Sequence, residues 1–117
     1  MGIKVRTNFY KKKSWDQPFI LQKEKGILLI CDEIQSGYYR SGKFFAHQYA
    51  NIKPDIVPFA KAVAGGYPSG GCLFTSKVAD CMKVGTHGST FAGSPMSMGL
   101  ANAILDVTFE SGFQANT

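Results

Sequence analysis

Two short apolar runs set the strongest limit on the fold of this chain. Residues 27–31, ILLIC, are all apolar and are followed at once by Asp32 and Glu33. Residues 55–59, DIVPF, form a second and mostly apolar run that leads to Lys61. Such runs are typical of β-strands covered on both faces in a parallel sheet. Because helical segments alternate with them, the sequence predicts an α/β fold with helices layered over a mostly parallel sheet.

Glycine and proline mark the elements around these runs. Residues 18–25 predict the last turns of a helix, with Pro18 in its first turn and Gly26 as its stop. The further predicted elements are a glycine-punctuated loop at 36–43, a short helix at 43–51, a glycine-rich segment at 60–69, a third strand at 71–75 and a helix at 77–84.

The last predicted helix follows Ser94, which can cap it, and has Pro95 in its first turn. Its apolar residues occupy two adjacent faces, one with Leu100, Ile104 and Val107 and the other with Met98, Ala101 and Leu105. So broad an apolar surface needs cover on more than one side. We expect another part of the domain or another subunit to supply it.

Length and composition favour a single folded domain. The chain has 117 residues, of which 44% are hydrophobic and 18% charged, so it can bury a core and does not have the composition of a disordered segment. No apolar run approaches the roughly 20 residues that cross a bilayer, and the N-terminus lacks the apolar core of a secretory signal. We therefore expect no membrane partner and a cytoplasmic location.

Cysteine usage indicates neither a disulfide framework nor a metal site. The chain has three cysteines, Cys31, Cys72 and Cys81, without CxxC spacing. Cys31 and Cys72 lie in apolar runs and are predicted to be small buried hydrophobic residues.

The net charge of +5 comes entirely from residues 1–30, which carry seven Lys or Arg against two acidic residues. Aromatic residues interleave with these cations, so a nucleic-acid module is one interpretation. Without a recognised nucleic-acid motif, a solvated charge run is favoured, and nucleic acid remains the weakest candidate partner.

Asp32 and Lys61 are the strongest candidates for chemistry. Ligands of open α/β sheets bind beyond the carboxyl ends of the strands, which is where both residues fall. Pyridoxal phosphate chemistry needs a carboxylate to keep the pyridinium nitrogen protonated and an amine to form a Schiff base. Strand alternation predicts that Asp32 faces the site and Glu33 turns away, or the reverse. Alternatively, Asp32 and Glu33 only satisfy backbone donors at a turn, and Lys61 is a solvated surface lysine.

Two further features bear on such a site. Apolar residues precede Lys61 and predict partial desolvation of its amine, and a desolvated amine is more often in the neutral, nucleophilic form. Gly65 and Gly66 follow it and permit close backbone approach or positive φ. Residues 87–90, HGST, offer hydroxyls and a flexible backbone to phosphate oxygens. For His87 a structural role is the simpler interpretation.

Three motifs together resemble the class III (omega-type) PLP-dependent aminotransferases, and the acetylornithine aminotransferase branch in particular. They are DEIQSG at 32–37, PDIVPFAKAVAGGYPSGG at 54–71 and GTHGSTFAGSP at 85–95. The resemblance covers residues 19–113 and implies a partial large domain of the type I PLP-dependent transferase fold, of α/β/α architecture. Residues 19–117 would be a central slice of that domain, and residues 1–18 an atypical basic segment.

The resemblance also implies roles for individual residues. Asp32 would contact the pyridine nitrogen of pyridoxal 5'-phosphate and Gln35 its phenolic oxygen. Lys61 would be the Schiff-base lysine and, once freed by substrate, the general base and acid. Thr90 would reach the cofactor phosphate of the partner subunit across a homodimer interface. The chain departs from the family pattern at Tyr38-Tyr39, where a glycine usually precedes the arginine, and at Ala92 and Ser94.

Substrates follow from the same resemblance, which implies amino-acid and 2-oxo-acid substrates. In complete form the protein would pass an amino group from N-acetylornithine to 2-oxoglutarate in arginine biosynthesis. Family members are several hundred residues long, so we expect a truncated or decayed gene product. Ornithine, succinylornithine and 4-aminobutyrate remain alternative donors, and an inactive relic or binding fragment is the alternative to an enzyme.

Overall fold

The structure is a computed structural model that describes residues 2–6, 13–113 and 115, with side chains from residue 19 onward. The strands are β1 Gly2–Arg6, β2 Leu28–Asp32, β3 Ile56–Ala60 and β4 Gly70–Phe74. The α-helices are α1 Lys13–Lys25, α2 Ser76–Ala79 and α3 Pro95–Phe109, and short 3₁₀ helices span Ala46–Ala50 and Lys61–Ala64. The side chains of the basic N-terminal segment, on which the nucleic-acid interpretation depends, lie outside the described residues.

The four strands form one sheet in the order β1-β2-β3-β4. Strands β1, β2 and β3 are parallel, with Ile30 of β2 opposite Ile56 of β3. Strand β4 is antiparallel to β3 and places Gly70 opposite Ala60. The segment 61–69 that joins them is shorter than the dozen or so residues that a parallel crossover needs, so the chain turns back. The predicted α/β fold is confirmed, with a mixed sheet, whereas β1 was not predicted.

Strand positions were predicted more accurately than helix ends. Strands β2, β3 and β4 each lie within one residue of the predicted runs. Helix α1 begins at Lys13, so the prediction that Pro18 lies in its first turn is wrong, while Gly26 follows its end with φ 63° as expected of a stop. Helix α2 ends at Ala79, well short of the predicted Val84. Its residues are mostly exposed, so no tertiary packing extends it.

Helix α3 begins at Pro95 as predicted, with Ser94 at the N-cap position. The Ser94 side chain makes no capping hydrogen bond, so the predicted side-chain cap is wrong. Instead the backbone carbonyl of Ser94 accepts the N–H of Met98 at 3.0 Å. The start of the helix is therefore fixed by the proline and the backbone rather than by the serine hydroxyl.

Two hydrophobic clusters form the core among the side chains that the structure describes. The first contains Leu29 and Cys31 of β2 with Ile52, and Phe19 of α1 packs against it. The second joins the 3₁₀ helix after β3 to α3 through Val63, Ala64 and Ala101, with Tyr38, Phe59 and Leu100 at its margin. The sheet is therefore covered by α1 near β2 and by α3 beyond β3.

The two cysteines predicted to be core residues differ in their burial. Cys31 is fully buried, and burial first and Glu33 second raise the pKa of its thiol to about 12. Cys72 is exposed, so that prediction is wrong: all five residues of the edge strand β4 are exposed. Exposed apolar side chains on α3, among them Met98 and Val107, match the uncovered surface expected from the sequence. Within the described part of the chain, no helix has the length and apolarity to cross a membrane.

Candidate active site

The ends of β2 and β3 bring the two principal candidates to the same edge of the sheet. The strands are parallel neighbours, and the N–H of Glu33 continues their ladder by donating to Pro58 O at 3.0 Å. Asp32 is the last residue of β2, and Lys61 comes directly after β3. Both side chains therefore leave the sheet at its carboxyl edge, where ligands of α/β folds bind.

A cavity of about 240 Å³ lies at this edge. Its described lining residues are Ile34, Gln35, Gly37, Arg40, Lys61 and Ala62. The cavity thus brings together Gln35 and Lys61, two of the predicted cofactor-binding residues. Arg40 was not predicted as a site residue, because a single arginine in a glycine-rich loop carries no distinguishing signal in the sequence. An amide and two cations make this cavity suitable for an anionic ligand.

Lys61 opens the 3₁₀ helix that follows β3 and has a left-handed backbone, with φ 56°. Its side chain is exposed, so the predicted partial desolvation is wrong for this chain. The apolar residues that follow, Val63 and Ala64, turn inward against α3 and leave the lysine on the open side. Gly65 and Gly66 adopt positive φ as predicted, at 61° and 103°.

Asp32 is half-buried and does not line the cavity. Its Oδ1 accepts the N–H of Ile34 at 3.2 Å, which is the backbone role considered as the alternative at this position. The same bond draws the turn that begins at Ile34 toward the end of β2. The Asp32 carboxylate is thus engaged with the backbone of the turn, and its contact with a pyridine nitrogen stays a prediction.

Thr90 lies apart from the cavity, in a loop whose residues from 80 to 93 are exposed. Ser89 Oγ accepts the N–H of Phe91 at 3.4 Å, so this serine is used within its own turn. Phe91 is 85% exposed. Because the predicted contact of Thr90 is with a second subunit, its role stays a prediction.

Glu33 points away from this edge and is buried, with 1% of its surface exposed. Its carboxylate accepts hydrogen bonds from Ser36 Oγ, from Ala46 N at 3.1 Å and from His47 N at 2.8 Å, and lies 3.1 Å from His47 Nδ1. Glu33 is thus engaged away from the cavity, while the expectation that Asp32 faces the site stays a prediction. No short sequence pattern indicates this network, because the partners of Glu33 lie up to 14 residues away along the chain.

These contacts set the ionisation of Glu33. Burial alone raises the pKa of its carboxyl, but the hydrogen bonds from His47, Ser36 and the two backbone amides outweigh it and hold the pKa below the ordinary value. A carboxyl with a depressed folded-state pKa stabilises the fold above its unfolded-state pKa. That stabilisation is lost as the pH falls through the folded-state value.

We therefore expect the free energy of unfolding to decrease as the pH falls below about 4.3, the ordinary pKa of glutamate. Urea denaturation between pH 7 and pH 3 measures this loss. Glu33→Gln removes the titrating group and should flatten this part of the profile, whereas Glu24→Gln on the exposed face of α1 should leave it unchanged. Identical profiles for Glu33→Gln and the parent chain would contradict the expectation.

The turn that carries Arg40 is built on two tyrosines. Tyr38 and Tyr39 both have positive φ, at 58° and 60°, which is costly for non-glycine residues. Their rings pack on Phe44 with centroid distances of 5.0 and 5.6 Å, and Phe44 stacks on Phe109 of α3 at 5.2 Å. These aromatic contacts offset the backbone strain and tie the turn to α3.

Comparison with known proteins identifies the family. The sequence model of the family described as aminotransferase class-III matches residues 16–117 of this chain. The chain belongs to the class-III aminotransferase family. An acetylornithine aminotransferase of Brucella melitensis is 48% identical over 93 residues, which are 80% of this chain and 23% of that relative. The chain thus spans about a quarter of the length of the curated relatives it matches.

Solved structures of aminotransferases share the fold. The acetylornithine aminotransferase of Elizabethkingia anophelis superposes with a TM-score of 0.85 at 30% identity, covering 97% of this chain and 30% of that one. An ornithine aminotransferase of Toxoplasma gondii gives a TM-score of 0.86 at 30% identity over 97% of this chain and 29% of its own. The prediction of a partial large domain of the PLP-dependent aminotransferase fold is confirmed.

Class-III aminotransferases are PLP-dependent enzymes, so the residues at the cavity can be compared with the chemical groups of PLP. The cavity presents an amine, Lys61, and an amide, Gln35, and Asp32 ends the neighbouring strand. The amine fits the aldehyde of PLP and the amide fits its ring oxygen, so these residues suit one side of the cofactor. Within the described residues no hydroxyl cluster lines the cavity for a phosphate, which agrees with the position of Thr90 in a separate exposed loop.

Proposed function

We propose that this class-III aminotransferase chain serves PLP-dependent transamination, with N-acetylornithine as amino donor and 2-oxoglutarate as acceptor. The products would be N-acetylglutamate semialdehyde and glutamate, a step of arginine biosynthesis. The observation that carries the proposal is the cavity at the carboxyl edge of β2 and β3, where Gln35 and Lys61 meet. The choice of donor is supported by the acetylornithine aminotransferases that are 48% identical to the chain.

When bound, PLP supplies an electron-withdrawing ring that stabilises negative charge at the substrate carbon. The Nζ of Lys61 is proposed to hold the cofactor and, once free, to move a proton at that carbon as base and then as acid. The Asp32 carboxylate is proposed to hold the proton on the ring nitrogen, and the Gln35 amide to orient the ring oxygen. Since Lys61 is exposed in this chain, bound substrate and further protein surface must exclude water during the proton transfer.

We further propose a cytoplasmic homodimer in which Thr90 serves the site of the partner subunit. The exposure of the loop around Thr90 supports this role, because Phe91 and Val84 are left without cover, at 85% and 107% relative exposure. Apolar side chains exposed to this degree are typical of surfaces that another polypeptide covers.

Covalent labelling tests the role of Lys61. The chain is incubated with pyridoxal 5'-phosphate, reduced with borohydride and mapped by mass spectrometry. We expect label on Lys61, its disappearance in Lys61→Ala, and an unchanged yield in Lys77→Ala, which removes another exposed lysine. Label spread evenly over the exposed lysines would contradict a built site.

The donor is tested on the same loaded chain by absorbance. N-acetylornithine should convert the bound cofactor to its amine form faster than ornithine or 4-aminobutyrate does. A faster reaction with either competitor would overturn the choice of donor without affecting the assignment of Lys61.

The exposure of Lys61 favours a second candidate, a fragment that binds partners but does not catalyse. This candidate predicts no selective label on Lys61 under the same conditions. The labelling experiment therefore separates the two functions directly.

A further inference from the structure

One short turn forms most of the cavity wall. Of the six lining residues that the structure describes, four belong to the turn at 34–40, which follows directly after Glu33: Ile34, Gln35, Gly37 and Arg40. The other two, Lys61 and Ala62, begin the 3₁₀ helix after β3. The geometry of the cavity therefore depends on what holds this turn relative to β3.

Glu33 holds the turn from both its backbone and its side chain. The carbonyl of Glu33 accepts the N–H of Gly37 at 2.9 Å, and its carboxylate accepts the hydroxyl of Ser36. Gln35 lies between Glu33 and these two partners, so its backbone is fixed on both sides. The carbonyl of Ser36 also accepts a hydrogen bond from Ser41 Oγ at 3.2 Å, which closes the far side of the turn.

The same carboxylate anchors the turn to a distant segment. Ala46 N and His47 N at the start of the first 3₁₀ helix donate to its two oxygens, and His47 Nδ1 lies within hydrogen-bond distance. At its own backbone, Glu33 N is bonded to Pro58 O of β3. One residue thus joins β3, the cavity turn and the segment at 46–47.

A carboxylate is the group this position requires. Two backbone N–H groups and a hydroxyl point at it, and all of them need acceptors. A glutamine of the same shape would present an amide N–H₂ to some of these donors and leave buried groups unpaired. Replacement by glutamine should therefore release the turn while changing side-chain volume very little.

We propose that Glu33 is a positioning residue of this site, which sets the cavity wall of Ile34, Gln35 and Arg40 against Lys61. Its role in transamination depends on the proposed function. The structural part of the proposal, that Glu33 fixes the turn at 34–40, does not depend on the proposed function.

Amide hydrogen exchange without cofactor tests the structural part. In Glu33→Gln we expect the peptides covering 34–40 and 46–47 to exchange about tenfold faster, the factor that corresponds to losing one hydrogen bond to a charged group. The peptide of β3 should be unchanged, and Glu24→Gln should match the parent chain throughout. Unchanged exchange at 34–40 in Glu33→Gln would overturn the proposal.

A milder variant covers the case in which Glu33→Gln destabilises the whole chain and every peptide exchanges faster. Ser36→Ala removes a single bond of the network, and we expect faster exchange confined to 34–40. If Ser36→Ala leaves 34–40 as slow as in the parent chain, the proposal is wrong.

A labelling experiment with pyridoxal 5'-phosphate distinguishes failure of this proposal from failure of the proposed function. If the parent chain labels at Lys61, Glu33→Gln should need about tenfold more pyridoxal 5'-phosphate for half-maximal labelling, and Glu33→Asp, which keeps the charge, should recover part of that loss. If the parent chain does not label at all, the proposed function fails, while the exchange result still decides whether Glu33 holds the turn. Normal labelling in Glu33→Gln would overturn the positioning role.

Discussion

Replacement of Leu29 by alanine is expected to lower the free energy of unfolding by about 3 kcal/mol. Leu29 is 1% exposed and is the second residue of β2, where it packs with Cys31, Ile52 and Phe19. Truncation removes buried apolar surface and leaves a cavity that strands held by two neighbours cannot close easily. Urea denaturation followed by circular dichroism measures the change.

Leu73→Ala is the matched control, because it deletes the same atoms from β4, where Leu73 is 52% exposed. Its cost should stay within about 1 kcal/mol. Equal costs for the two variants would mean that β2 is not the buried strand of this sheet. In that case the position of Asp32 at the end of a rigid strand would lose its physical basis.

The part of the site that could be predicted is the part that local pattern encodes. Five consecutive apolar residues predicted β2, and the charged residues that follow the two apolar runs predicted a site at the carboxyl ends of the strands. Both strands lie within one residue of those runs, and they are parallel neighbours. An apolar run leaves the same local signal wherever it occurs, so the position and parallel direction of these strands followed from sequence alone. The expected burial of both faces did not follow, because only alternate residues of β2 and one residue of β3 are buried.

Exposure could not be predicted in the same way, because it depends on what packs over an element rather than on the element itself. Cys72 lies in an apolar run like that of Cys31, yet β4 is an edge strand whose residues are exposed. Lys61 follows apolar residues, but its side chain lies on the open side of the 3₁₀ helix. Both errors arise from treating apolar neighbours in sequence as apolar neighbours in space.

The Glu33 network could not be predicted for a different reason. Alternation along β2 predicted that Glu33 and Asp32 diverge, which is a property of two adjacent residues. The partners Ala46 and His47 belong to a segment brought back by the loop at 34–45, and no short-range pattern encodes that return. A site residue that acts through distant backbone amides becomes visible only once the loop geometry is known.

Gly65→Ala is expected to lower the free energy of unfolding by about 2 kcal/mol, as the sum of two costs. Gly65 follows the 3₁₀ helix of Lys61 with φ 61°, a conformation that disfavours alanine. An added Cβ would also lie 3.0 Å from Ile104 Cδ1 of α3. The second cost arises because α3 packs closely on this helix through Val63, Ala64 and Ala101.

Gly26→Ala isolates the first cost, since Gly26 follows α1 with nearly the same φ, 63°, and no atom lies within 4 Å of an added Cβ. It should lose only about 1 kcal/mol. Ile104→Val, which removes Cδ1, should then cost less in the Gly65→Ala background than in the parent chain. Two results would together contradict this: an equal loss of unfolding free energy in Gly65→Ala and Gly26→Ala, and the same cost of Ile104→Val in the Gly65→Ala background as in the parent chain. Helix α3 would then not pack closely against the 3₁₀ helix that carries Lys61. The cavity would then be held from the Glu33 side alone.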